Sequence, residues 1–282
     1  MERISIALQK SGRLSEKSLD MIRKCGIDFY ADDRVLKAEA RNFPLSFLFV
    51  RDDDIPRYVS EGIVDIGIVG KNELDESGYE LEVVRDLGFA SCRLSIASPV
   101  DFPYEGIKSL EGKTIATSYP RILKKILAEN EVNAKIEVLQ GSVEIAPSIK
   151  VSDAICDLVS TGVTLKMNGL KEDESIYRSS AVLVSKKGFE DPALTRLLSR
   201  LDAVMLARKK KYVLFNLPKD KIEEAALIIG GMKSPTVTPL FNPQWVSVQA
   251  VVSEDDFWSV FESLRTLGAE GIIVLDIEKM TE

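Results

Sequence analysis

The chain has 282 residues, of which 45% are hydrophobic and 29% are charged, and its formal net charge is -7. At about 150 residues per domain, this length and composition predict about two domains with ordinary globular cores, and they exclude a disordered chain, a collagen and a coiled coil. The acidic balance gives no reason to expect binding to nucleic acid or to a membrane surface. Any anionic ligand must therefore be held by local groups.

Histidine is absent from the chain, which excludes Ser-His-Asp and Cys-His mechanisms and imidazole metal sites. Proton transfer near neutral pH would then fall to carboxylates, lysine, tyrosine, a perturbed thiol or the substrate itself. The three cysteines, Cys25, Cys92 and Cys156, are far apart and lack C-x-x-C spacing, so neither a disulfide framework nor a zinc cluster is predicted. Because no segment resembles a secretory signal or a membrane span, we expect a cytoplasmic protein.

Short apolar runs alternate with helical patterns in the first half of the chain, which predicts parallel strands joined by crossover helices. The first strand is predicted at 4–8, followed by a helix that Ser15 caps and that extends to Lys24. Further strands are predicted at 45–50, 65–70 and 92–97. Three acids, Asp52–Asp54, precede a helix start, where the helix dipole favours carboxylates.

A loop containing Pro103, Gly106 and Gly112 separates this series from a second one. In the second series we predict strands at 114–117, 135–139, 154–159 and 180–185, helices at 120–129 and 194–207, and a helix start after 141–142. The predicted division assigns residues 1–98 plus 178–207 to a first lobe and residues 99–177 to a second lobe.

The last seventy or so residues have the order βαββαβ, which is the ferredoxin-like pattern found in small regulatory modules. Strands are predicted at 212–217, 237–240, 245–252 and 272–275, and helices at 222–229 and 255–267. The fold class is therefore an α/β body of two lobes followed by a C-terminal α+β domain at 208–282.

The strongest local signal for chemistry is the segment 153–164, an apolar strand with acids four residues apart that leads into a turn of hydroxyl residues and glycine. Backbone amides of such a turn suit a terminal phosphate, and here the turn consists of Ser160, Thr161, Gly162, Val163 and Thr164. Asp153 and Asp157 could accept hydrogen bonds from ribose hydroxyls or from magnesium-bound water. An ordinary turn at a strand end is the alternative.

A basic loop with Lys10, Gly12 and Arg13 follows the first strand, at the edge where open parallel sheets bind ligands. Arg13 as a bidentate donor and Lys10 as a point charge could clamp a polyphosphate, and Arg51 after the next strand has the same interpretation. A solvated turn is the alternative.

Three further residues are candidates for binding, each with a structural alternative. Asp65 begins a buried strand and could contact a nucleotide or sugar, although acids often begin strands. Tyr119 and Glu144 each lie between a strand and a helix of the second series, where Tyr119 could stack on a base and Glu144 could bind polar groups.

Taken together, these segments resemble the long form of the ATP phosphoribosyltransferase family, and the resemblance covers nearly the whole chain. The C-terminal domain also fits, through 234–236 and 277–280. The motifs that carry the resemblance in the body are 9–14, 50–56, 65–70, 116–120, 141–144 and 153–164.

The resemblance implies a two-lobed body like that of periplasmic binding proteins and transfer of the 5-phosphoribosyl group from phosphoribosyl pyrophosphate to N1 of ATP, with Mg²⁺. It implies that Ser160 to Thr164 bind the 5-phosphate, with Asp153 and Asp157 near the ribose. It assigns catalysis to Lys10 and Arg13, and it assigns ATP and pyrophosphate binding to Gly12, Arg51, Asp65, Tyr119 and Glu144. No metal ligand is assigned.

The long form further implies feedback inhibition by histidine on an ACT-like C-terminal domain, and homo-oligomers that range from dimer to hexamer. Met232, Ser234 and Thr236 lie where the family's inhibitor site would be. Three alternatives stay open: a non-catalytic two-lobed sensor or solute-binding protein, a phosphoribosyltransferase for a different base, and a catalytically silent regulatory subunit.

Overall fold

The computed structural model describes residues 3–32, 34–230 and 234–281. The chain forms two compact units, one that extends to Leu194 except for Lys24–Gly26, and one that comprises Lys24–Gly26 and the chain from Thr195 onward. Across the described ranges, no helix combines the length and the apolar character needed to cross a membrane.

The first unit contains two sheets, and the first of them has six strands in the order β2-β3-β1-β4-β11-β5. Its helices are α1 (Arg13–Lys24), α2 (Ile55–Glu61) and α3 (Lys71–Ser77). The strands are β1 (Ile4–Gln9), β2 (Lys37–Glu39), β3 (Leu45–Val50), β4 (Ile66–Gly70), β5 (Glu82–Asp86) and β11 (Ala181–Ser185). Strand β1 pairs in parallel with β3 and β4, so the loops that leave these three strands meet at one carboxyl edge.

The second sheet has five strands in the order β10-β6-β9-β7-β8. Its helices are α4 (Pro120–Glu129) and α5 (Val163–Met167). The strands are β6 (Cys92–Pro99), β7 (Thr114–Thr117), β8 (Lys135–Val138), β9 (Ala154–Val159) and β10 (Leu170–Ser179). Strand β7 pairs in parallel with β8 and β9, so this sheet also has a carboxyl edge from which three loops leave.

The second unit contains a four-stranded antiparallel sheet in the order β13-β14-β12-β15. Its elements are α6 (Pro192–Ala207), β12 (Lys210–Pro218), α7 (Ile222–Ile229), β13 (Thr236–Pro239), β14 (Trp245–Ser253), α8 (Phe257–Thr266) and β15 (Glu270–Asp276). From β12 onward the order is βαββαβ, and the strand order is ferredoxin-like. The predicted fold class, a two-lobed α/β body with a C-terminal α+β domain, is confirmed.

Some local predictions need correction. Strand β6 pairs with β9 and β10, so Cys92–Pro99 belongs to the second sheet, whereas the predicted first lobe extended to residue 98. Helix α1 begins at Arg13, and Ser15 is a buried residue inside it rather than its cap. The helix start predicted after 141–142 is a single 3₁₀ turn at Val143–Ile145.

Candidate functional site

The basic loop lies at the carboxyl edge of the first sheet, as predicted. The amide of Lys10 donates to the carbonyl of Val50 at 2.8 Å, which places the loop after β1 beside Arg51. Gly12 has a φ of +94°, a conformation that favours glycine, and α1 begins at the next residue, Arg13. Lys10 and Arg13 are exposed, and within the described parts of the chain neither forms an ion pair. Both cations are therefore available to an anion.

Three polar side chains that were not predicted to bind a ligand, those of Gln9, Asp52 and Asp53, also lie at this edge. The amide nitrogen Nε2 of Gln9 donates to Asp52 at 3.2 Å, and Arg51 pairs with Asp53 at 2.9 Å, with 80% of the Arg51 side chain exposed. Their positions, at the last residue of β1 and shortly after β3, are the signal that could have identified them. The edge thus carries both cations and carboxylates.

The predicted phosphate loop, Ser160–Thr164, leaves the carboxyl end of β9 at the second sheet. Gly162 has a φ of +75° and immediately precedes α5, so the first amides of this helix have no intrahelical acceptor. Arg93 holds the loop, because one guanidinium nitrogen donates to the carbonyl of Ser160 at 3.1 Å while another pairs with Glu172 at 2.6 Å. The loop presents exposed hydroxyl groups on a tethered backbone.

Asp157 lies near the carboxyl end of β9, just before this loop, and its carboxyl group has a raised pKa. Burial raises its pKa to about 6, the hydrogen bond from the amide of Leu158 opposes that shift, and the charge of Glu144 adds to it. Glu144 belongs to the 3₁₀ turn that follows β8, yet its charge acts on the Asp157 carboxyl of β9. A partly buried carboxylate beside exposed amides suits a ligand that offers hydroxyl donors next to a phosphate.

Asp153 and Asp65 do not reach this site, and both predictions need correction. Asp153 precedes β9 and accepts a hydrogen bond from the amide of Thr114 at 2.8 Å. Asp65 precedes β4 and accepts from the amide and the hydroxyl of Ser5, both at 2.7 Å. Each carboxylate therefore lies at the amino edge of its sheet. A strand of about six residues separates this edge from the carboxyl edge by about 20 Å.

Tyr119 also differs from the prediction that it stacks on a base. Its ring packs against the core of the second sheet, and its hydroxyl donates to Glu73 at 2.9 Å and accepts from Asn72 at 3.3 Å. Burial raises the pKa of Tyr119, and the charges of Glu73 and Asp157 raise it further. Tyr119 is therefore a structural link between the two sheets.

Helix α3 makes further contacts between the two sheets. The carboxylate of Glu76 accepts from the amides of Arg121 and Ile122, at 2.8 and 3.0 Å, in the first turn of α4. Asp75 accepts from the hydroxyl of Tyr177 at 2.6 Å. Helix α3 was not predicted, although its polar sequence directly follows the carboxyl end of β4 and ends at a left-handed glycine, Gly78.

These contacts bring the two carboxyl edges together. Burial raises the pKa of Glu73, the hydrogen bond from Tyr119 opposes the shift, and the charges of Asp52 and Asp53 add to it. Glu73 thus lies within electrostatic reach of the first edge, and it bonds to Tyr119, which lies within reach of Asp157. Glu73 and Tyr119 therefore connect the two carboxyl edges. We call these two connected edges, with the first-edge cations and the second-edge phosphate loop, the composite site.

The residues predicted to bind an inhibitor lie in the second unit. Thr236 begins β13, pairs with Gln249 of β14 and is exposed, as is Ser234. Gln249 in turn accepts a hydrogen bond from the hydroxyl of Tyr212 at 2.7 Å. Met232 lies outside the described residues.

The comparisons with known proteins agree with one another. A family model described as ATP phosphoribosyltransferase matches residues 51–203, and one described as HisG, C-terminal domain, matches residues 207–279. An ATP phosphoribosyltransferase of Cytophaga hutchinsonii is 49% identical over 99% of both chains, and one of Parabacteroides distasonis is 48% identical over 98% of this chain and 99% of its own. A chain of the solved ATP phosphoribosyl transferase (HisG:HisZ) complex from Thermotoga maritima aligns with a TM-score of 0.60 and 28% identity, covering 71% of this chain and 96% of that one.

Proposed function

Because the chain belongs to the ATP phosphoribosyltransferase family, we propose that the composite site at the two carboxyl edges binds both of its substrates. The enzyme transfers the 5-phosphoribosyl group of phosphoribosyl pyrophosphate to N1 of ATP, in the first step of histidine biosynthesis. The observation that carries the proposed location is the tethered loop Ser160–Thr164 beside Asp157, at the edge that α3 joins to Lys10 and Arg13.

Phosphoribosyl pyrophosphate binds through the loop at the second sheet. The 5-phosphate is held by the amides and hydroxyls of Ser160, Thr161, Gly162, Val163 and Thr164. Free backbone amides at the start of a helix can donate hydrogen bonds to a phosphate dianion, so no positively charged side chain has to be buried there. Asp157 accepts hydrogen bonds from the ribose hydroxyls, which favours its ionised form when the sugar is bound. Asp153 has no part in this binding.

ATP and the departing pyrophosphate are held mainly by the first sheet. Lys10 and Arg13 supply positive charge for the pyrophosphate, Gly12 lets the backbone approach it closely, and Arg51 and Glu144 bind polar groups of the nucleotide. Because both substrates are phosphorylated metabolites of the cell interior, we place the reaction in the cytoplasm. Asp65 and Tyr119 are not part of this set.

The reaction needs positioning and charge stabilisation rather than proton transfer. Adenine N1 supplies an electron pair that forms the bond to the anomeric carbon of the ribose, while the bond from that carbon to the pyrophosphate oxygen breaks and its electrons leave with pyrophosphate. Positive charge develops on the ribose and negative charge on pyrophosphate, so fixed cations such as Lys10 and Arg13 lower the barrier. No general base is required, which agrees with a chain that has no histidine.

Mg²⁺ fits this site as an ion bound to the substrate phosphates. Within the described residues, no group of three or more acids and cysteines is arranged to hold a metal, and Mg²⁺ commonly binds through one or two carboxylates and the phosphates of a substrate. Asp157 is the carboxylate that would complete its coordination, directly or through water. When bound, the ion neutralises charge on the leaving pyrophosphate.

We also propose that histidine inhibits the enzyme through the second unit, at Ser234 and Thr236 together with Met232, and that the chain forms homo-oligomers from dimer to hexamer. Exposed apolar side chains on this unit support assembly, since Ile273, Leu275 and Trp258 are 51%, 52% and 69% exposed. Adding histidine to the assay below tests the inhibition.

The assay compares variants at the two edges of the first sheet. Formation of phosphoribosyl-ATP is followed by ultraviolet absorbance with ATP, phosphoribosyl pyrophosphate, Mg²⁺ and pyrophosphatase. Arg13→Gln should lower kcat/KM about 100-fold, because it removes the guanidinium group that stabilises the negative charge developing on the departing pyrophosphate. Asp65→Asn should stay within about twofold of the wild type, since Asp65 lies at the opposite edge. Full turnover by Arg13→Gln, or an equal loss in Asp65→Asn, would refute the proposed site.

A further inference from the structure

A cavity of about 690 Å³ lies where the chain passes between the two sheets of the first unit. Its lining includes the start of α3, the ends of β5 and β10 and the start of β6. Three of the lining side chains, Lys71, Arg93 and Arg178, are cationic, and one, Asp86, is anionic. The cavity therefore has an excess of positive charge in a chain whose net charge is -7.

Two of these cations, Lys71 and Arg178, have no ion-pair partner among the described residues. Arg93 and Arg178 lie directly opposite each other on β6 and β10, an arrangement that is unfavourable for like charges. Glu172 neutralises Arg93, but within the described residues neither Arg178 nor Lys71 forms an ion pair. The Lys71 ammonium group lies 6.0 Å from the centre of the Tyr177 ring.

The anionic residue of the cavity is already engaged. The carboxylate of Asp86 accepts from the hydroxyl of Ser180 and the amide of Gly88, all at 2.9 Å. Its hydrogen bonds thus fix the turn after β5, and its single charge balances only one of the two unpaired cations.

Two lining residues connect the cavity with the two carboxyl edges. Lys71 directly follows the carboxyl end of β4, and Arg93 contacts the carbonyl of Ser160 in the phosphate loop. A ligand with several negative charges and one end in the composite site could therefore extend toward Lys71 and Arg178. Among the two substrates, ATP carries such a group.

We propose that this cavity binds a polyphosphate, namely the triphosphate arm of ATP, through Lys71 and Arg178. The assignment to ATP rests on the proposed function, whereas polyphosphate chemistry follows from the two unpaired cations. A fork of guanidinium donors and an ammonium point charge are complementary to neighbouring phosphate groups. Lys71 and Arg178 are then binding residues that select a triphosphate over an uncharged nucleoside.

Steady-state kinetics of the full-length enzyme test this assignment. Arg178→Gln and Lys71→Gln should each raise the KM for ATP about tenfold or more, because each removes a charge-assisted contact, and each should leave the KM for phosphoribosyl pyrophosphate within about twofold. Arg178→Lys should recover most of the loss. The matched control is Lys124→Gln, which removes an exposed cation of α4 that does not line the cavity.

Calorimetric titration with inorganic tripolyphosphate separates the two sources of the ligand. Weaker tripolyphosphate binding by Arg178→Gln together with a raised KM for ATP supports the assignment. Weaker tripolyphosphate binding with an unchanged KM for ATP overturns the assignment to ATP and supports a site for free polyphosphate. Unchanged values in both measurements overturn the site. A wild-type enzyme that forms no phosphoribosyl-ATP would refute the proposed function, while the titration would still decide the cavity.

Discussion

At the scale of single residues, the energetics of the site centre on the Asp157 carboxyl, whose pKa burial raises from 3.8 to about 6. Between these two values the folded protein binds more protons than the unfolded chain, so the free energy of unfolding falls as the pH rises through this range. Above about pH 6 the full cost of the buried charge is present. A substrate that donates hydrogen bonds to Asp157 would offset this cost.

Asp157→Asn should therefore stabilise the protein while it weakens the site. A shift of about two pKa units corresponds to at most about 3 kcal/mol, so we expect the variant to gain up to that amount at pH 7.5 and almost nothing at pH 4. Urea unfolding at the two pH values measures the difference. An equal gain at both would show that the ionisation of Asp157 does not cause it.

The roles of single residues were the least predictable from sequence. Asp153 and Asp157 are four residues apart, and an extended chain places their side chains on the same side. This alternation does not say which end of a strand a ligand approaches. The bond from Thr114 to Asp153 depends on pairing between β7 and β9. Likewise, Tyr119 lies between a strand and a helix, as predicted, but its partner Glu73 is 46 residues away in the sequence.

At the scale of elements, α3 is the connection between the two carboxyl edges of the first unit. Four of its side chains bond to groups of the second sheet or its loops, and these are Asn72, Glu73, Asp75 and Glu76. The Glu76 carboxylate caps the first turn of α4, where amides lack intrahelical acceptors and the helix dipole favours negative charge. The position of the loop at 117–119 thus depends on a helix of the other sheet.

Glu76→Ala should lower the free energy of unfolding by about 1 to 2 kcal/mol, the usual cost of losing a helix cap. Glu80→Ala is the matched control, because Glu80 is exposed just beyond the same helix and makes no hydrogen bond among the described residues. Urea unfolding at pH 7 compares the two variants. Equal stabilities would mean that the bonds to Arg121 and Ile122 contribute nothing.

Strands made mainly of apolar residues could be predicted from the sequence, whereas polar helices and strands could not. Strands β3, β7 and β9 were predicted at their observed bounds because apolar residues fill them. Strand β10 was missed, since only its ends are buried and it carries two irregularities in its register with β6. Pairing with β6, which the local sequence does not encode, makes Leu170–Ser179 a strand.

At the scale of the whole molecule, the proposed catalytic residues and the proposed inhibitor-binding residues lie in different units. The catalytic groups proposed above all lie in the first unit, and Ser234 and Thr236 lie in the second. The ferredoxin-like order of the second unit was predictable because alternation and helical periodicity are both clear there. The joining of the two carboxyl edges was not, because it depends on hydrogen bonds such as that from Tyr177 to Asp75, which are 102 residues apart.

Binding of phosphoribosyl pyrophosphate at the carboxyl edge of the second sheet is the central claim. It is tested most directly by alanine variants at Asp157 of β9 and at Asp153, which precedes this strand. Calorimetry with phosphoribosyl pyrophosphate and Mg²⁺ should show that Asp157→Ala binds at least about tenfold more weakly, since a carboxylate bonded to hydroxyls contributes roughly 1.5–3 kcal/mol. Asp153→Ala should bind within about twofold of the wild type. Equal losses in the two variants, or a loss only in Asp153→Ala, would contradict the account.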